Sequence, residues 1–500
     1  MKKSLFLLAL VFLFSCQEQP SNLAEVTFQI DMSDILADIA DPETIGIVGS
    51  GPLEWAIIPL EDAGNGIFSK TFKWNVEDSV MLEYTFIHSY DTFDEGDIGD
   101  AAYRTYTLTP GQHVLPLVKW GVLDEVNTGR ATPSPMLKVE RADSEAEKKA
   151  LNIPFFGVTA TGVIEPDLFS IQATGISTAN IKLATEAFLD ALTAEQRANC
   201  TFPIDDQEWR RWSNIDYYER KGIGLRDMTE DQKLLAFQIM KESLSPQGFK
   251  KTQDIMKMEG YLARLSGEFD ALGSDLYWFS FMGTPSETEP WGWQIDGHHL
   301  VINYFILGDQ VVMTPTFLGS EPNYIADGEN SGTRTFEYEE ILGLKLYHSL
   351  DNTQKTEATL FDRKEYNFFQ TGAFCDNSIV PYLGLKLSSL NPDQVLIFEE
   401  LVLEYIGNMD EGHAAIRMKE ILEHRGETYF SWVGAMDGKG PFYYRIHSPV
   451  VMIEFDHQKP IFLPGNKPGK KHVHTIVRTP NGNDYGKDLL RQHLEAEHQH

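Results

Sequence analysis

The sequence predicts two domains: a small all-β sandwich, followed by a large α+β domain. Residues 24–122 contain short segments that alternate polar and apolar residues, whereas residues 136–493 contain amphipathic helix patterns first and strand patterns later. The stretch 123–135 between them includes two prolines and has the composition of an exposed linker. A chain of 500 residues also exceeds what one hydrophobic core usually holds.

The chain begins like a bacterial export signal. Two lysines precede an apolar run, Leu5–Phe14, that is too short to span a bilayer as a helix. The following Ser15 and Cys16 complete a pattern that resembles a lipobox, so residues 1–16 are predicted to be a lipoprotein signal peptide with Cys16 as the lipidation site. An ordinary secretion signal is the alternative. In both cases we expect an exported protein of the cell envelope, on its periplasmic or surface face, and a lipidated chain would touch the membrane only through its anchor.

The small domain shows strand-like alternation in Glu25–Met32 and Leu82–Ile87, with a turn cluster at Asp62–Gly66. The segment Val26–Ser33 and the turn resemble starch-binding-type, immunoglobulin-like modules. In such modules exposed tryptophans stack on sugar rings, so the resemblance implies a glycan ligand and makes Trp55 the candidate contact. A core position for Trp55 and a spacer role for the domain are the alternatives.

The large domain begins with helices and continues with strands. Three segments have a capping residue followed three positions later by Gln, and each predicts a helix start: Thr193–Gln196, Thr229–Gln232 and Asn391–Gln394. Helices are predicted over residues 181–192, 339–349 and 392–405, and strands over residues 276–281, 299–306, 311–317, 443–447 and 450–455. The second and third of these strands are joined by a short Gly-Asp turn, which predicts a hairpin.

The charge of the chain limits its partners. A net charge of −32 would repel nucleic acid and anionic lipid, so we expect neither as a direct partner, and a small molecule or a glycan as the ligand. Cys200 and Cys375 would both be available to pair in an oxidising compartment, but the sequence does not show whether they approach each other.

Two short histidine-containing segments predict a metal site. His472 and His474 are two residues apart, so on a strand their imidazoles project from the same face toward one ion. His298 and His299 would point to opposite faces of a strand unless the backbone bends at the preceding glycine, and His299 is the better inward ligand. Asp296 is placed to fix the tautomer of His298. These five residues are the candidate ligands of a divalent cation, most plausibly zinc.

A site of this kind suggests hydrolysis. An open site with about three ligands lowers the pKa of a bound water to roughly 7 and so supplies a nucleophile. Glu321 or Asp484 is the candidate general base, and Arg478 or Arg445 is the candidate binder of an oxyanion or a substrate carboxylate. The alternative is a set of buried histidines that bind backbone carbonyls.

Arginine and tryptophan residues form a second group of candidates, for ligand binding. Arg210, Arg211 and Trp212 combine positive charge with an aromatic wall and suit an acidic ligand. Trp291 and Trp293 flank the histidine pair in the sequence and would suit a sugar or an aromatic ligand. A structural Arg-Trp stack and ordinary core tryptophans are the alternative interpretations.

Several of these motifs together resemble the domain-of-unknown-function family numbered 3500. The resemblance covers nearly the whole large domain and rests on Glu208–Asn214, Leu276–Pro285, Glu289–Leu300, Thr314–Pro322, His472–Arg478 and Asp484–Arg491. The loop Lys459–Lys471 departs from the family pattern, since it replaces a shorter turn. The family implies no activity, so two hypotheses stay open: an envelope-anchored, metal-dependent hydrolase, and a non-catalytic lipoprotein that binds a small ligand or a glycan.

Overall fold

The computed structural model describes residues 23–33, 36, 45–49, 53, 58–76, 79–87, 104–115, 117–119, 145–435, 437, 439–465 and 467–497. The predicted signal peptide with Cys16, the residue Trp55 and the predicted linker 123–135 lie outside these residues. The chain divides into two compact units, Met1–Thr132 and Pro133–His500.

The first unit contains two β-sheets around one apolar core. Its strands are β1 (Leu23–Asp31), β2 (Gly46–Gly49), β3 (Ile58–Pro59), β4 (Glu61–Gly64), β5 (Ile67–Asn75), β6 (Val80–Ile87), β7 (Arg104–Leu108), β8 (Gly111–Val114) and β9 (Val118–Lys119). One sheet has the order β4-β5-β1-β8, with β9 also paired to β1, and the other has the order β3-β2-β6-β7. Phe28 of the first sheet packs edge-on against Tyr84 of the second, at 4.9 Å between ring centroids. Alternate residues of β1 are buried, because one face of the strand points into this shared core.

The second unit mixes helices with a long, mainly antiparallel sheet. Its helices are α1 (Glu145–Asn152), α2 (Ala179–Asp190), α3 (Ala194–Cys200), α4 (Glu230–Ser243), α5 (Pro246–Ser266), α6 (Glu337–Ser349), α7 (Asn352–Ala358), α8 (Pro392–Ile406), α9 (Glu411–Glu423) and α10 (Lys487–Glu497). Its strands are β10 (Thr201–Phe202), β11 (Ile223–Gly224), β12 (Tyr277–Gly283), β13 (Trp291–Gly297), β14 (Leu300–Leu307), β15 (Gln310–Val312), β16 (Thr316–Ser320), β17 (Thr359–Phe361), β18 (Leu385–Lys386), β19 (Tyr429–Gly434), β20 (Phe442–His447), β21 (Met452–His457) and β22 (Val473–Arg478). The predicted α+β class is therefore confirmed for this unit.

The strands of the second unit form one sheet, and its order brings distant segments together. The path runs β10-β12-β13-β14-β16-β22-β21-β20-β19-β17, with β11, β15 and β18 paired at its sides. Strand β22 follows β21 in the chain, yet its other neighbour is β16, which lies far earlier in the sequence. This arrangement places the His472–His474 segment two strands away from β14 and the histidines that precede it.

Both faces of this sheet are covered. Leu300, Ile302, Tyr304 and Ile306 are alternate residues of β14 and belong to the main core on one face of the sheet. Val301 and Phe305 on the other face pack in a second cluster with Trp209, Trp212, Phe317, Ile476 and Tyr485. Because both faces are buried, every residue of β14 is buried, and polar groups of the strand must be satisfied inside the protein.

The local predictions for this domain hold well. All three predicted helix starts are capping boxes, in which Thr193, Thr229 and Asn391 accept from the N–H of the Gln three residues on. The predicted hairpin pairs β14 with β15 through Gly308 and Asp309. Cys200 and Cys375 are both free. Within the described residues, no helix is long and apolar enough to cross a membrane.

Candidate metal centre

A two-residue turn presents His298 and His299. Gly297 pairs with Leu300 in the β13–β14 hairpin, so the two histidines form the turn between the strands. His299 has a φ of 63°, in the left-handed region that histidine adopts more often than most residues. The two residues thus lie in a turn and not on a strand, so the opposite-face geometry expected for a strand does not apply: their rings stack, 3.8 Å apart between centroids.

Gly319 lies between His299 and His474. It pairs with His474 across β16 and β22, and its N–H donates to the carbonyl of His299 at 2.8 Å. A Cβ atom at position 319 would lie 2.9 Å from His299 Cδ2 and 3.0 Å from His474 Cδ2, closer than real Cβ contacts. The absence of a side chain at this position leaves the space in which the imidazoles of neighbouring strands meet.

Three imidazole nitrogens converge at this place. His299 Nε2 lies 3.3 Å from His472 Nε2, which lies 2.9 Å from His474 Nε2. A zinc ion bound tetrahedrally at 2.0–2.1 Å holds its nitrogen ligands about 3.3 Å apart, so this spacing fits a common ion. His299 and His472 are buried, whereas His474 is partly exposed. We call these three residues the histidine cluster, and their geometry can hold a metal ion.

The other ring nitrogens of two cluster histidines are held by oxygen acceptors. His472 Nδ1 lies 2.6 Å from the carbonyl oxygen of Lys459, and His299 Nδ1 lies 3.2 Å from Glu259 Oε2. An oxygen acceptor at Nδ1 keeps the proton there and leaves Nε2 free to bind a metal. The hydrogen bonds therefore select the tautomer that a metal ligand needs.

Burial keeps the cluster neutral. Desolvation, together with the neighbouring imidazoles, lowers the pKa of His299 to about 4 and lowers the pKa values of His472 and His474 well below the usual range. Neutral imidazole is the form that coordinates metals, so at neutral pH protons do not compete with an ion for these nitrogens.

Glu259 joins His298 and His299 in a second group that could hold an ion. It lies on α5, and its other oxygen, Oε1, lies 2.8 Å from His298 Nδ1. Burial acts to raise the pKa of Glu259, but the two histidines outweigh it and lower that pKa to about 2. The carboxylate thus stays ionised and orients both turn histidines.

His298 and Glu259 also line a cleft of about 320 Å³. The other walls combine aromatic and acidic side chains with Arg220; the aromatic and acidic residues are Tyr217, Tyr218, Trp278, Asp216, Glu219 and Asp270. His299, His472 and His474 do not line this cleft; it is linked to the cluster through Glu259 and His298, which both contact His299.

Asp296 is engaged away from the histidines. Its Oδ2 lies 3.2 Å from Arg220 Nε, and its Oδ1 accepts from the N–H of Ser213 at 3.3 Å. The residue that binds the His298 ring is Glu259 and not Asp296, contrary to the expectation from sequence spacing. The i, i+2 rule failed here because the turn carries His298 away from the strand that holds Asp296.

Glu321 lies behind His472, on the side opposite the three converging nitrogens. Its Oε2 is 3.6 Å from His472 Nδ1, and its two oxygens accept from the N–H groups of Ile461, Phe462 and Leu463. Burial raises its pKa, although these N–H groups act against the shift. Glu321 therefore fixes the Lys459–Lys471 loop, the same loop that supplies the carbonyl bound by His472.

Asp484 and Arg478 bind each other in the interior. Arg478 Nη1 donates to Asp484 Oδ2 and to Asp376 Oδ1, each at 3.0 Å, and its remaining groups donate to the carbonyls of Thr371 and Gly372. Arg478 lies four positions after His474 on β22, a distance of about 13 Å along the strand. Asp484 and Arg478 therefore form a structural ion pair that lies far from the histidine cluster.

Arg445 is likewise buried and engaged. Its guanidinium donates to Gln370 Oε1 and to the carbonyl of Pro381, each at 3.1 Å. It lies on β20, and β21 separates that strand from β22, which carries His474 and directly follows His472.

The predicted ligand-binding arginines and tryptophans are packed inside the domain or paired. Arg210 binds Asp376 at 2.9 Å, and Arg211 binds Glu147 at 3.0 Å. The indole N–H of Trp212 donates to Tyr485, that of Trp291 to Ser286, and that of Trp293 to Ser243. All three tryptophans are fully buried, which corresponds to the structural interpretation of these motifs.

The residue that sequence reasoning missed is Glu259. A weak signal exists: Glu259 lies four positions after Ile255 and three before Leu262, on the buried face of α5. A glutamate on an otherwise apolar helix face requires a polar partner inside the protein. The sequence did not reveal that this partner is a pair of histidines.

The family comparison covers the same residues. The family model described as "Protein of unknown function (DUF3500)" matches residues 174–487, more than half of the chain, and this range includes Glu259, both turn histidines and the rest of the histidine cluster. A comparison with curated proteins gives no match. The chain therefore belongs to the DUF3500 family.

Proposed function

We propose that the large domain is a metal-dependent hydrolase whose ion is held by His299, His472 and His474. The observation that carries this proposal is the convergence of three Nε2 atoms, with 3.3 Å and 2.9 Å between successive atoms. Three neutral imidazoles are a protein donor set found in catalytic zinc sites, so zinc is the proposed ion. A bound divalent ion supplies Lewis acidity, which activates water and polarises a carbonyl or phosphoryl oxygen.

In this proposal, His298 moves the proton. Glu259 accepts from Nδ1 of His298, and among the described residues none forms a hydrogen bond with Nε2 of that ring. Because the ring lines the cleft, Nε2 is placed to exchange a proton with a molecule bound there. Glu259 holds both His298 and the ligand His299, and so aligns the proton-transfer group with the metal ligand.

The residues first considered for catalysis have other roles in this proposal. Glu321 accepts hydrogen bonds from backbone N–H groups of the Lys459–Lys471 loop, and Asp484 accepts from the N–H of Thr479 and from Arg478. Arg478 and Arg445 have partners in the interior and do not face the cleft. Asp296 anchors Arg220, one of the cleft residues, and contributes to the shape of the site rather than to coordination.

The remaining parts of the proposal concern location and targeting. The lipobox-like start supports export and anchoring through Cys16 to the cell envelope. The two sheets of the first unit, together with the Val26–Ser33 segment and the Asp62–Gly66 turn, support an immunoglobulin-like sandwich of starch-binding type. Such a module would bring the enzyme to a glycan or act as a spacer.

Elemental analysis of the purified full chain tests the metal site. The wild type is expected to carry about one equivalent of zinc, and the double variant His472→Ala/His474→Ala should carry none. The double variant His348→Ala/His424→Ala is the matched control, since it removes two imidazoles that lie outside the cluster. A wild type without stoichiometric metal, or a His472/His474 variant that keeps its metal, would refute the site.

Hydrolysis is tested separately with a panel of chromogenic esters, amides and phosphoesters. Turnover should disappear when the metal is removed and return when zinc is restored, and the His472/His474 variant should not recover.

The aromatic cleft favours a second candidate function, ligand binding without catalysis. Tyr217, Tyr218 and Trp278 would contact an apolar or sugar surface whether or not an ion is present. A protein that binds a ligand in this cleft, shows no turnover and contains no metal would establish this alternative.

A further inference from the structure

Lys364 and Asp456 form a buried pair that has no part in the proposed hydrolysis. Asp456 lies on the same sheet face as His474, its partner on the neighbouring strand. Lys364 Nζ lies 2.8 Å from Asp456 Oδ1, and neither side chain has any exposed area. Lys364 also donates to the carbonyl of Tyr366, and its Nζ lies over the ring of Phe368, 5.3 Å from the centroid. Full desolvation of a lysine and an aspartate is costly for a simple ion pair, and replacement by apolar residues is often neutral or stabilising.

The carboxyl group of Asp456 is held asymmetrically. Oδ2 accepts from the backbone N–H of Phe368 at 2.9 Å and from the amide of Gln458. Oδ1 accepts no hydrogen bond of ordinary geometry from the described residues, although the lysine nitrogen is so close. The lysine nitrogen is thus held at ion-pair distance from Oδ1, with its Nζ also bonded to the carbonyl of Tyr366, so the amine and the carboxyl carbon are kept close together.

We propose that Lys364 and Asp456 form an intramolecular isopeptide bond. A proton passes from the lysine ammonium to Asp456 Oδ1, which gives a neutral amine and a neutral carboxylic acid. Nζ then attacks Cγ, the C–N bond forms, a second proton moves from nitrogen to Oδ1, and the C–Oδ1 bond breaks to release water. The products are one amide and one water, so the reaction needs no oxidant, reductant or further reactant.

The surroundings assist each step. The N–H of Phe368 and the amide of Gln458 donate to Oδ2, which is where negative charge develops as nitrogen adds to Cγ. Burial raises the pKa of Asp456 to about 6 and lowers the pKa of Lys364, and both shifts favour the neutral pair. The absence of exposed area keeps water from hydrolysing the product.

The bond would link the segment around Lys364 to strand β21, next to the histidine cluster. Asp456 pairs with His474 in the β21–β22 register, and Phe369 from the segment of Lys364 packs edge-on against the His474 ring at 5.8 Å between centroids. A covalent link between positions 364 and 456 would hold this segment against the sheet and limit the motion of the cluster.

Mass spectrometry of the purified full chain tests the bond. We expect the wild type to be lighter than its sequence by about 18 Da, the mass of one water, apart from changes at its N-terminus. The variant Lys364→Met, prepared in the same way, should show no such loss, so the comparison cancels any processing of the N-terminus. Proteolysis should yield one branched peptide that joins the segments around positions 364 and 456.

The variant Asp456→Asn provides a second test, because asparagine would react with loss of ammonia and give the same amide. We expect its mass and its branched peptide to equal those of the bonded wild type. A folded wild type whose mass equals that of the unlinked chain, with separate linear peptides for the two segments, overturns the proposal. The wild type alone decides this point, so a variant that fails to fold does not weaken the test.

Discussion

Substitution of Gly319 by alanine is expected to weaken metal binding without removing any ligand. The added Cβ would lie 2.9 Å from His299 Cδ2, 3.0 Å from His474 Cδ2 and 2.9 Å from the carbonyl oxygen of Val473. In the metal-free protein the His474 ring, which is partly exposed, can rotate away from the methyl group. A bound ion fixes both rings, so most of the steric cost falls on the metal-bound state.

The size of the effect follows from the energy of overpacking. An extra methyl group in a tightly packed site costs about 1–3 kcal/mol. Since about 1.4 kcal/mol corresponds to a tenfold change in an equilibrium constant, the metal affinity should fall roughly 5- to 150-fold. The contact with the Val473 carbonyl involves backbone, and it should also lower the stability of the metal-free protein slightly.

Isothermal titration of metal-free protein with zinc measures this affinity. Gly426→Ala is the matched control, because an added Cβ there meets no atom within 4 Å and its affinity should equal that of the wild type. If Gly319→Ala binds zinc as tightly as the wild type, the ion does not lie between His299 and His474, and the proposed coordination is wrong.

Three further predictions concern the metal ligands, pH and helix capping. Glu259→Gln should lower zinc affinity about 10- to 100-fold in the same titration, because it removes the carboxylate that orients His299. Burial raises the pKa of Glu208 to about 7 from an ordinary 4.5, so ionisation of Glu208 should reduce the free energy of unfolding by about 3 kcal/mol as the pH rises from about 4 to 8. Glu208→Gln should therefore be more stable than the wild type at pH 8 and similar to it at pH 4, as measured by urea unfolding. Thr229→Ala removes a capping hydrogen bond and should lower the free energy of unfolding by about 1 kcal/mol in the same assay.

Each of these predictions has an outcome that would contradict it. Unchanged zinc affinity in Glu259→Gln would mean that this carboxylate does not support a metal ligand. If the free energies of unfolding of Glu208→Gln and the wild type differ by the same amount at pH 4 and at pH 8, the wild-type residue ionises normally in the folded protein. For the cap, the control is Thr356→Ala within α7, an exposed position that caps no helix; a larger loss there than at Thr229 would contradict the capping argument.

The local structure of the large domain could be predicted from the sequence because its causes are local. The capping boxes at Thr193, Thr229 and Asn391 depend on residues three positions apart, and the β14–β15 hairpin depends on a Gly-Asp turn between apolar strands. These features involve neighbours in the chain, and tertiary packing reinforces them.

The conformation of the His298–His299 segment was harder to predict. An Asp-Gly pair, Asp296-Gly297, precedes the segment but does not occupy the two turn positions, and the apolar run after it favoured a strand that begins at His299. The structure instead uses a left-handed histidine in the turn, which rotates both rings toward Glu259. The wrong partner for His298, Asp296, followed from the same incorrect assignment.

The sequence by itself determined the α+β class, the family and the residue types that can bind a metal, since these depend on composition, periodicity and motifs. Only the tertiary structure decided which of these residues meet. The sheet order places β16 between the two histidine segments, Gly319 leaves room between their rings, and α5 brings in Glu259. The tertiary structure also places Asp484, Arg478 and Arg445 next to hydrogen-bond partners in the interior, because a buried charge is stable only when other groups satisfy it. Which side chains meet depends on packing between segments that are far apart in the chain. The spacing of residues along the sequence says little about that packing.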